Sequence, residues 1–267
     1  MKGDRIILAA HRGDRAAHPE NTMPAFKSSL DFGCDMIETD IRMTLDGELV
    51  LIHDRSTLRT SGVDKNVDEL TLAELREINV GATFGDGKEF VPVPTVREFM
   101  ELIKDTNMLV NWELKVYPSS FGDEVAFGIL DKLVDMIYEY GLEERSMINS
   151  FSDRVIEYAK IKHGSRFPIH GQGISTCARS HDEPDTMTRE ELYDWCCLYP
   201  NEREKGHIAL ENPEHFAYCR EKGIIPCICI KDELENYRKA IELGCKMFTT
   251  NNIYECDRIL RELGVRG

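Results

Sequence analysis

The sequence predicts an α/β barrel, a closed parallel sheet wrapped by helices. Short β-branched runs alternate with longer segments of helical period along the whole chain, the signature of parallel strands linked by crossover helices. About eight such units can be counted, enough to close a barrel. The 267 residues, 42% hydrophobic and 30% charged without a low-complexity tract, suit one ordinary globular core of that size.

The strand candidates are residues 5–10, then 36–42 with 48–53 as its continuation, 108–115, 146–150, 167–171, 207–210, 224–230 and 246–250. The helices between them carry their own start and stop signals. Asn21-Thr22 before Met23-Pro24 offers a cap and an early proline, and the apolar stripe of Ala25, Phe26 and Leu30 ends at Gly33. Thr71 and Glu74 form a capping box at the head of 72–78, 125–140 repeats apolar residues at helical spacing up to Gly141, and 233–243 stops at Gly244. Two segments interrupt the alternation. Residues 54–94 are long for a barrel connection and read as an inserted lid or subdomain, and the polar stretch 175–203 reads as a loop near the site mouth.

A formal charge of −15 disfavours nucleic-acid polymers and anionic membranes as partners, so a phosphate ligand requires a local positive pocket. The apolar run Ile6 to Ala10 is too short for a signal-peptide core or a membrane span, and a cytoplasmic protein without stable membrane association is expected. Nine cysteines lie in apolar stretches without zinc-ligand spacing. Reduced core thiols are the simplest reading, with a regulatory disulfide or a thiolate metal site as alternatives. The oligomeric state is not legible.

The polar clusters fall at the downstream ends of strand candidates, the face on which barrels build active sites. His11-Arg12-Gly13, Glu38-Thr39-Asp40, His53-Asp54 and Glu113-Leu114-Lys115 thus converge on one rim. Glu38 and Asp40, two residues apart on a strand, share a face, and Glu113 from the neighbouring strand adds a third carboxylate. Crowded carboxylates raise one another's pKa unless a cation sits among them, and an all-oxygen set suits Mg²⁺ or Ca²⁺, with Mn²⁺ also acceptable. Three carboxylates, one divalent ion and a phosphodiester leave two negative charges, which Arg12 and Lys115 cancel. His11 and His53 beside them provide the one side chain able to act as both acid and base near neutrality. His170 and Gln172, near the end of the fifth strand, are expected to be structural.

At these residues the chain resembles the glycerophosphodiester phosphodiesterase family, through His11-Arg12-Gly13, Pro19-Glu20-Asn21-Thr22, Glu38-Thr39-Asp40, Thr44-x-Asp46-Gly47, His53-Asp54, Val93-Pro94-Thr95 and Glu113-x-Lys115. The resemblance implies one TIM-type (β/α)8 barrel over 1–267 with an insertion after the second strand, matching 54–94. It implies metal ligands at Glu38, Asp40 and Glu113, an acid/base pair at His11 and His53, and phosphate contacts from Arg12 and Lys115. The reaction implied is metal-dependent hydrolysis of a small glycerophosphodiester to glycerol 3-phosphate and an alcohol, and the His pair beside a single metal site leads to the expectation that a glycerol hydroxyl attacks in cis to give a cyclic phosphate. Beyond residue 115 the match thins to Ser150-Phe151 and Thr249-Thr250-Asn251. The family's Trp-Thr-x-Asn element is replaced by Cys229-Ile230-Lys231-Asp232, and an Asp by Asn251. The changed seventh strand keeps two alternatives open: a phospholipase D-like enzyme acting on lysophospholipid, and a barrel that binds phosphodiesters without cutting them.

Overall fold

The computed structural model describes residues 5–174, 179–198, 212–229 and 232–267. In chain order the strands are β1 (Ile7–His11), β2 (Met36–Met43), β3 (Leu49–Leu51), β4 (Leu109–Leu114), β5 (Ser146–Ser150), β6 (Ile169–Gln172), β7 (Trp195–Cys197), β8 (Ile225–Ile228) and β9 (Met247–Thr250). All except β3 pair in parallel, and β1 closes the barrel by pairing with both β2 and β9. The TIM-type barrel expected from the sequence is the observed fold.

Period-two alternation divides each strand. Ile7, Ala9, Met36, Met147, Trp195, Cys197, Cys227 and Met247 pack together inside the barrel, whereas Leu8, Ile37, Trp112, Ile148 and Phe248 join the larger cluster beneath the helices. In that outer layer Phe26 packs tilted on Phe99, and Phe99 meets Trp112 edge to face, with ring centroids 4.5 and 5.6 Å apart. The buried indole N–H of Trp112 donates to Ser146 Oγ at 3.0 Å, so no polar atom of the ring is left without a partner.

The helix after β1 spans Met23–Phe32. Thr22 caps it and Gly33, at φ 85°, ends it in the left-handed conformation open to glycine. The capping boxes at Thr71/Glu74 and Thr95/Glu98 start helices Leu72–Leu75 and Val96–Ile103. Val93-Pro94-Thr95 is therefore a helix-entry element. Thr44, Asp46 and Gly47 build the β2–β3 turn, where Thr44 Oγ1 donates to Asp46 at 2.6 Å and Gly47 adopts φ 85°. These motifs shape the frame and lie outside the cluster of reactive side chains.

Two strand expectations are corrected. The run 48–53 does not continue the second strand: β3 turns back antiparallel on β2, with Ile41 opposite Leu51. The strand placed at 207–210 lies outside the described residues, and the sixth barrel strand is β7, inside the stretch read as loop. Its three residues, Trp-Cys-Cys, contain no β-branched side chain and follow a polar run, so local pattern is silent there. Within 54–94, Val67, Leu75, Val80 and Val93 pack on Val50 and Ile52, giving the insertion a small apolar cluster anchored on the β3 hairpin. Among the described residues no helix is long and apolar enough to cross a membrane.

Candidate active site

The parallel register sets Asp40 beside Glu113, and His11 beside Glu38. Glu38, Asp40 and Glu113 therefore project inward at the C-terminal rim, buried, with one carboxylate oxygen of each within 4.8 Å of the others. Burial, then Asp40 and Glu113, pushes the Glu38 carboxyl well above the usual range. Burial acts the same way on Asp40, but Lys115 and Arg12 outweigh it and hold that carboxyl low. Lys115 Nζ lies 3.2 Å from Asp40 and contacts Glu113, and Arg12 Nε lies 3.1 Å from Asp40. Glu38 Oε1 is buried without a hydrogen-bond partner. An acceptor oxygen left bare beside two further carboxylates fits a hard divalent cation.

The loop after β1 is bent to serve this cluster. Arg12 has φ 60° and Gly13 φ 78°. This turn directs the Arg12 backbone N–H to Glu38 Oε2 at 3.0 Å. A Cβ on Gly13 would stand 2.9 Å from the Ala25 backbone, so glycine is required for both conformation and space. Asn21, also left-handed at φ 54°, donates from Nδ2 to Asp40 at 2.8 Å and accepts from Thr39 Oγ1 at 2.8 Å. Strained backbone at two adjacent supports of one carboxylate is the pattern expected of a functional site.

The two histidines differ in their partners. His11 Nδ1 lies 2.6 Å from Asn251 Oδ1; an amide oxygen only accepts, so Nδ1 carries the proton and Nε2 turns a lone pair toward Glu38, 3.8 Å away. Burial, followed by Arg12, lowers the His11 pKa to about 3. His53 Nδ1 lies 2.6 Å from the Asp54 carboxylate. His11 Nε2 stands 3.8 Å from Glu38, and His53 follows Ile52, whose N–H donates to Asp40 O at 3.0 Å, so both histidines border the triplet.

His53 reaches the rim because β3 folds back over β2, with Ile52 N–H donating to Asp40 O at 3.0 Å. The insertion is tied down by Glu20, which contacts Arg12 at 2.7 Å, Arg15 at 2.9 Å and Arg59 at 2.6 Å. Beside His53 and Lys115 opens a cavity of about 470 Å³, lined also by Arg42, Tyr117, Phe151, Arg179, Ser180 and His181. His181 stacks on Tyr117 at 4.3 Å, so part of the 175–203 stretch does border the mouth.

A model of the glycerophosphoryl diester phosphodiesterase family matches residues 11–255, from the first histidine past Asn251. The chain belongs to that family. A glycerophosphodiester phosphodiesterase of Caldanaerobacter subterraneus is 40% identical over 152 residues, 55% of this chain and 59% of the relative. One from Bacillus altitudinis is 34% identical over 149 residues, 54% of this chain and 57% of the relative. The chain thus matches less than two thirds of the length of these curated relatives. In fold it resembles a Silicibacter pomeroyi protein described as a glycerophosphoryl diester phosphodiesterase, with TM-score 0.80, 22% identity and coverage of 98% and 95% of the two chains. An Oleispira antarctica phosphodiesterase solved with sn-glycerol-3-phosphate gives TM-score 0.77 at 17% identity, covering 96% of each chain.

The seven candidate site residues, His11, Arg12, Glu38, Asp40, His53, Glu113 and Lys115, therefore lie in or beside one cluster. The supporting roles of Asn21, Glu20, Asp54, Arg59 and Asn251 were not foreseen. Asn21, Glu20, Asp54 and Asn251 stood inside quoted motifs, the only local signal available. The pairings of Arg59 with Glu20 and of Asn251 with His11, 39 and 240 residues apart, leave no local trace.

Proposed function

We propose that this protein hydrolyses glycerophosphodiesters to glycerol 3-phosphate and an alcohol, using His11 and His53 as a general base and acid beside one divalent cation. The observation that carries the reading is the unequal pairing of the two rings beside the carboxylate triplet, one on a neutral amide and one on a carboxylate. Glu38, Asp40 and Glu113 would hold the ion, Mg²⁺, Ca²⁺ or Mn²⁺, which when bound supplies Lewis-acid polarisation and offsets charge at the phosphoryl group. Arg12 and Lys115 complete the charge balance around the phosphate.

His11, neutral with its free Nε2 facing the site, suits the base: it takes the proton from a glycerol hydroxyl, whose oxygen attacks phosphorus in cis. His53 suits the acid, because Asp54 holds Nδ1–H and stabilises the imidazolium that gives its Nε2 proton to the departing alcohol. The roles then reverse. His53 accepts a proton from water as it opens the cyclic phosphate, and His11 returns its proton to the ring oxygen, restoring both. Phosphorus NMR of early turnover in heavy-oxygen water tests this route; no cyclic species and a single direct incorporation of solvent oxygen would exclude it.

The deciding assay is glycerol 3-phosphate release from glycerophosphocholine and glycerophosphoethanolamine by metal-stripped protein, with each ion restored and Glu113→Gln as control. Release that requires metal and disappears in the control supports the proposal. No release with any ion refutes it for these substrates and directs the search to lysophospholipid, then to binding without turnover.

A further inference from the structure

Beneath the rim, inside the barrel, lies a second cluster of ligand-type side chains that the proposed reaction does not use. His170 on β6, Cys197 on β7 and Cys227 on β8 come from three consecutive strands, and Cys197 and Cys227 are register partners. All three are buried, with one donor atom of each within 4.8 Å of the others. His170 Nε2 is 3.2 Å from Cys227 Sγ. In a tetrahedral zinc site with Zn–S of about 2.3 Å and Zn–N of about 2.0 Å, sulfur and nitrogen stand ~3.5 Å apart. The His170–Cys227 pair is therefore near the required span before any side chain moves.

We propose that His170, Cys197 and Cys227 form a second metal site, selective for a thiophilic d¹⁰ ion and best matched to Zn²⁺. Charge makes the choice: two thiolates and a neutral imidazole leave no net charge around Zn²⁺, which suits a pocket floored by Met147, Trp195 and Met247. Binding releases the two thiol protons to solvent and changes no oxidation state. The hard cation of the rim, held by oxygen, has no reason to descend to sulfur.

Asn111 on β4 gives an independent pointer. Its Nδ2 lies 2.9 Å from His170 Nδ1, while its Oδ1 is buried without a hydrogen-bond partner. A half-turn of the amide exchanges these atoms: Oδ1 then accepts from Nδ1–H, and Nε2 becomes the lone-pair donor. That is the outer hydrogen bond by which metal-bound histidines are oriented. A water would take the fourth position, which keeps the site neutral. Cys229, two residues beyond Cys227, packs against the same inner cluster.

The test uses the reduced, metal-stripped full chain under anaerobic conditions, with excess Mg²⁺ present to saturate the rim, titrated with Co²⁺. Expected is a thiolate-to-cobalt charge-transfer band that saturates at one equivalent, bleaches on adding Zn²⁺, persists in Glu113→Gln and is lost in Cys227→Ser. No band, or an undiminished band in Cys227→Ser, overturns the proposal and leaves reduced core thiols. Zinc-edge X-ray absorption on wild-type protein loaded with one equivalent provides a readout that needs no variant to fold. Sulfur scattering is expected, and a shell of oxygen and nitrogen alone refutes the site.

Discussion

Replacing Glu20 by Gln removes one charge while keeping the side-chain shape, and the structure fixes what that should cost. Burial raises the Glu20 carboxyl, but Arg59, Arg12 and Arg15 overcome it and bring the folded pKa down to about 2 from a reference of 4.5. A difference of roughly 2.5 units corresponds to about 3 kcal/mol. The sign follows from the depressed value: the contribution is fully present above the unfolded pKa near 4.5 and is lost as pH falls through the folded value near 2. Glu20→Gln mimics the protonated state. It should therefore be less stable than wild type by about 3 kcal/mol at neutral pH and by only roughly 1 kcal/mol near pH 3. Urea denaturation followed by the fluorescence of buried Trp112 and Trp195 measures both values. A gap between the two proteins that is constant from neutral pH to pH 3 would falsify the argument, because the charge of Glu20 would then not be what joins Arg59 of the insertion to the rim.

His11→Ala and His53→Ala should each lower kcat by about 10²- to 10⁴-fold, and the double variant should be little worse than either. Additive losses in steady-state kinetics would show that the rings do not work as a pair. Asn251→Asp places a carboxylate on His11 Nδ1, 2.6 Å from the present amide oxygen, and should raise the His11 pKa by about 1 to 3 units. NMR titration of the ring should show that rise, and an unmoved midpoint would reject residue 251 as the hydrogen-bond partner of His11 Nδ1. Gly13→Ala, forced into φ 78° and against Ala25, should lose about 1–3 kcal/mol in the same urea assay. A change within about 0.5 kcal/mol would mean that the turn relaxes without cost.

The site was more legible than the fold around it. Glu38 and Asp40 share a face because a strand repeats every two residues, a rule that needs no tertiary information. Helix limits at Thr22 and Gly33 were readable because capping is local. β7 was missed because its burial comes from neighbours on both sides, β6 and β8, which alone make a strand of Trp195–Cys197. His53 was placed on the rim, but by a continuing strand; the antiparallel return of β3 is a matter of long-range pairing.

The sequence by itself determined the alternation that closes a barrel, the residue types at the rim, and the shared face of Glu38 and Asp40. These rest on periodicities and spacings that the backbone imposes over a few residues. Only the tertiary structure decided that Asp40 stands beside Glu113, that His11 leans on a neutral amide and His53 on a carboxylate, and that His170 meets two thiols inside the barrel. Those arrangements join residues tens to hundreds of positions apart. They depend on strand register and barrel closure, which are set by the packing of the whole chain and by no local stretch of it.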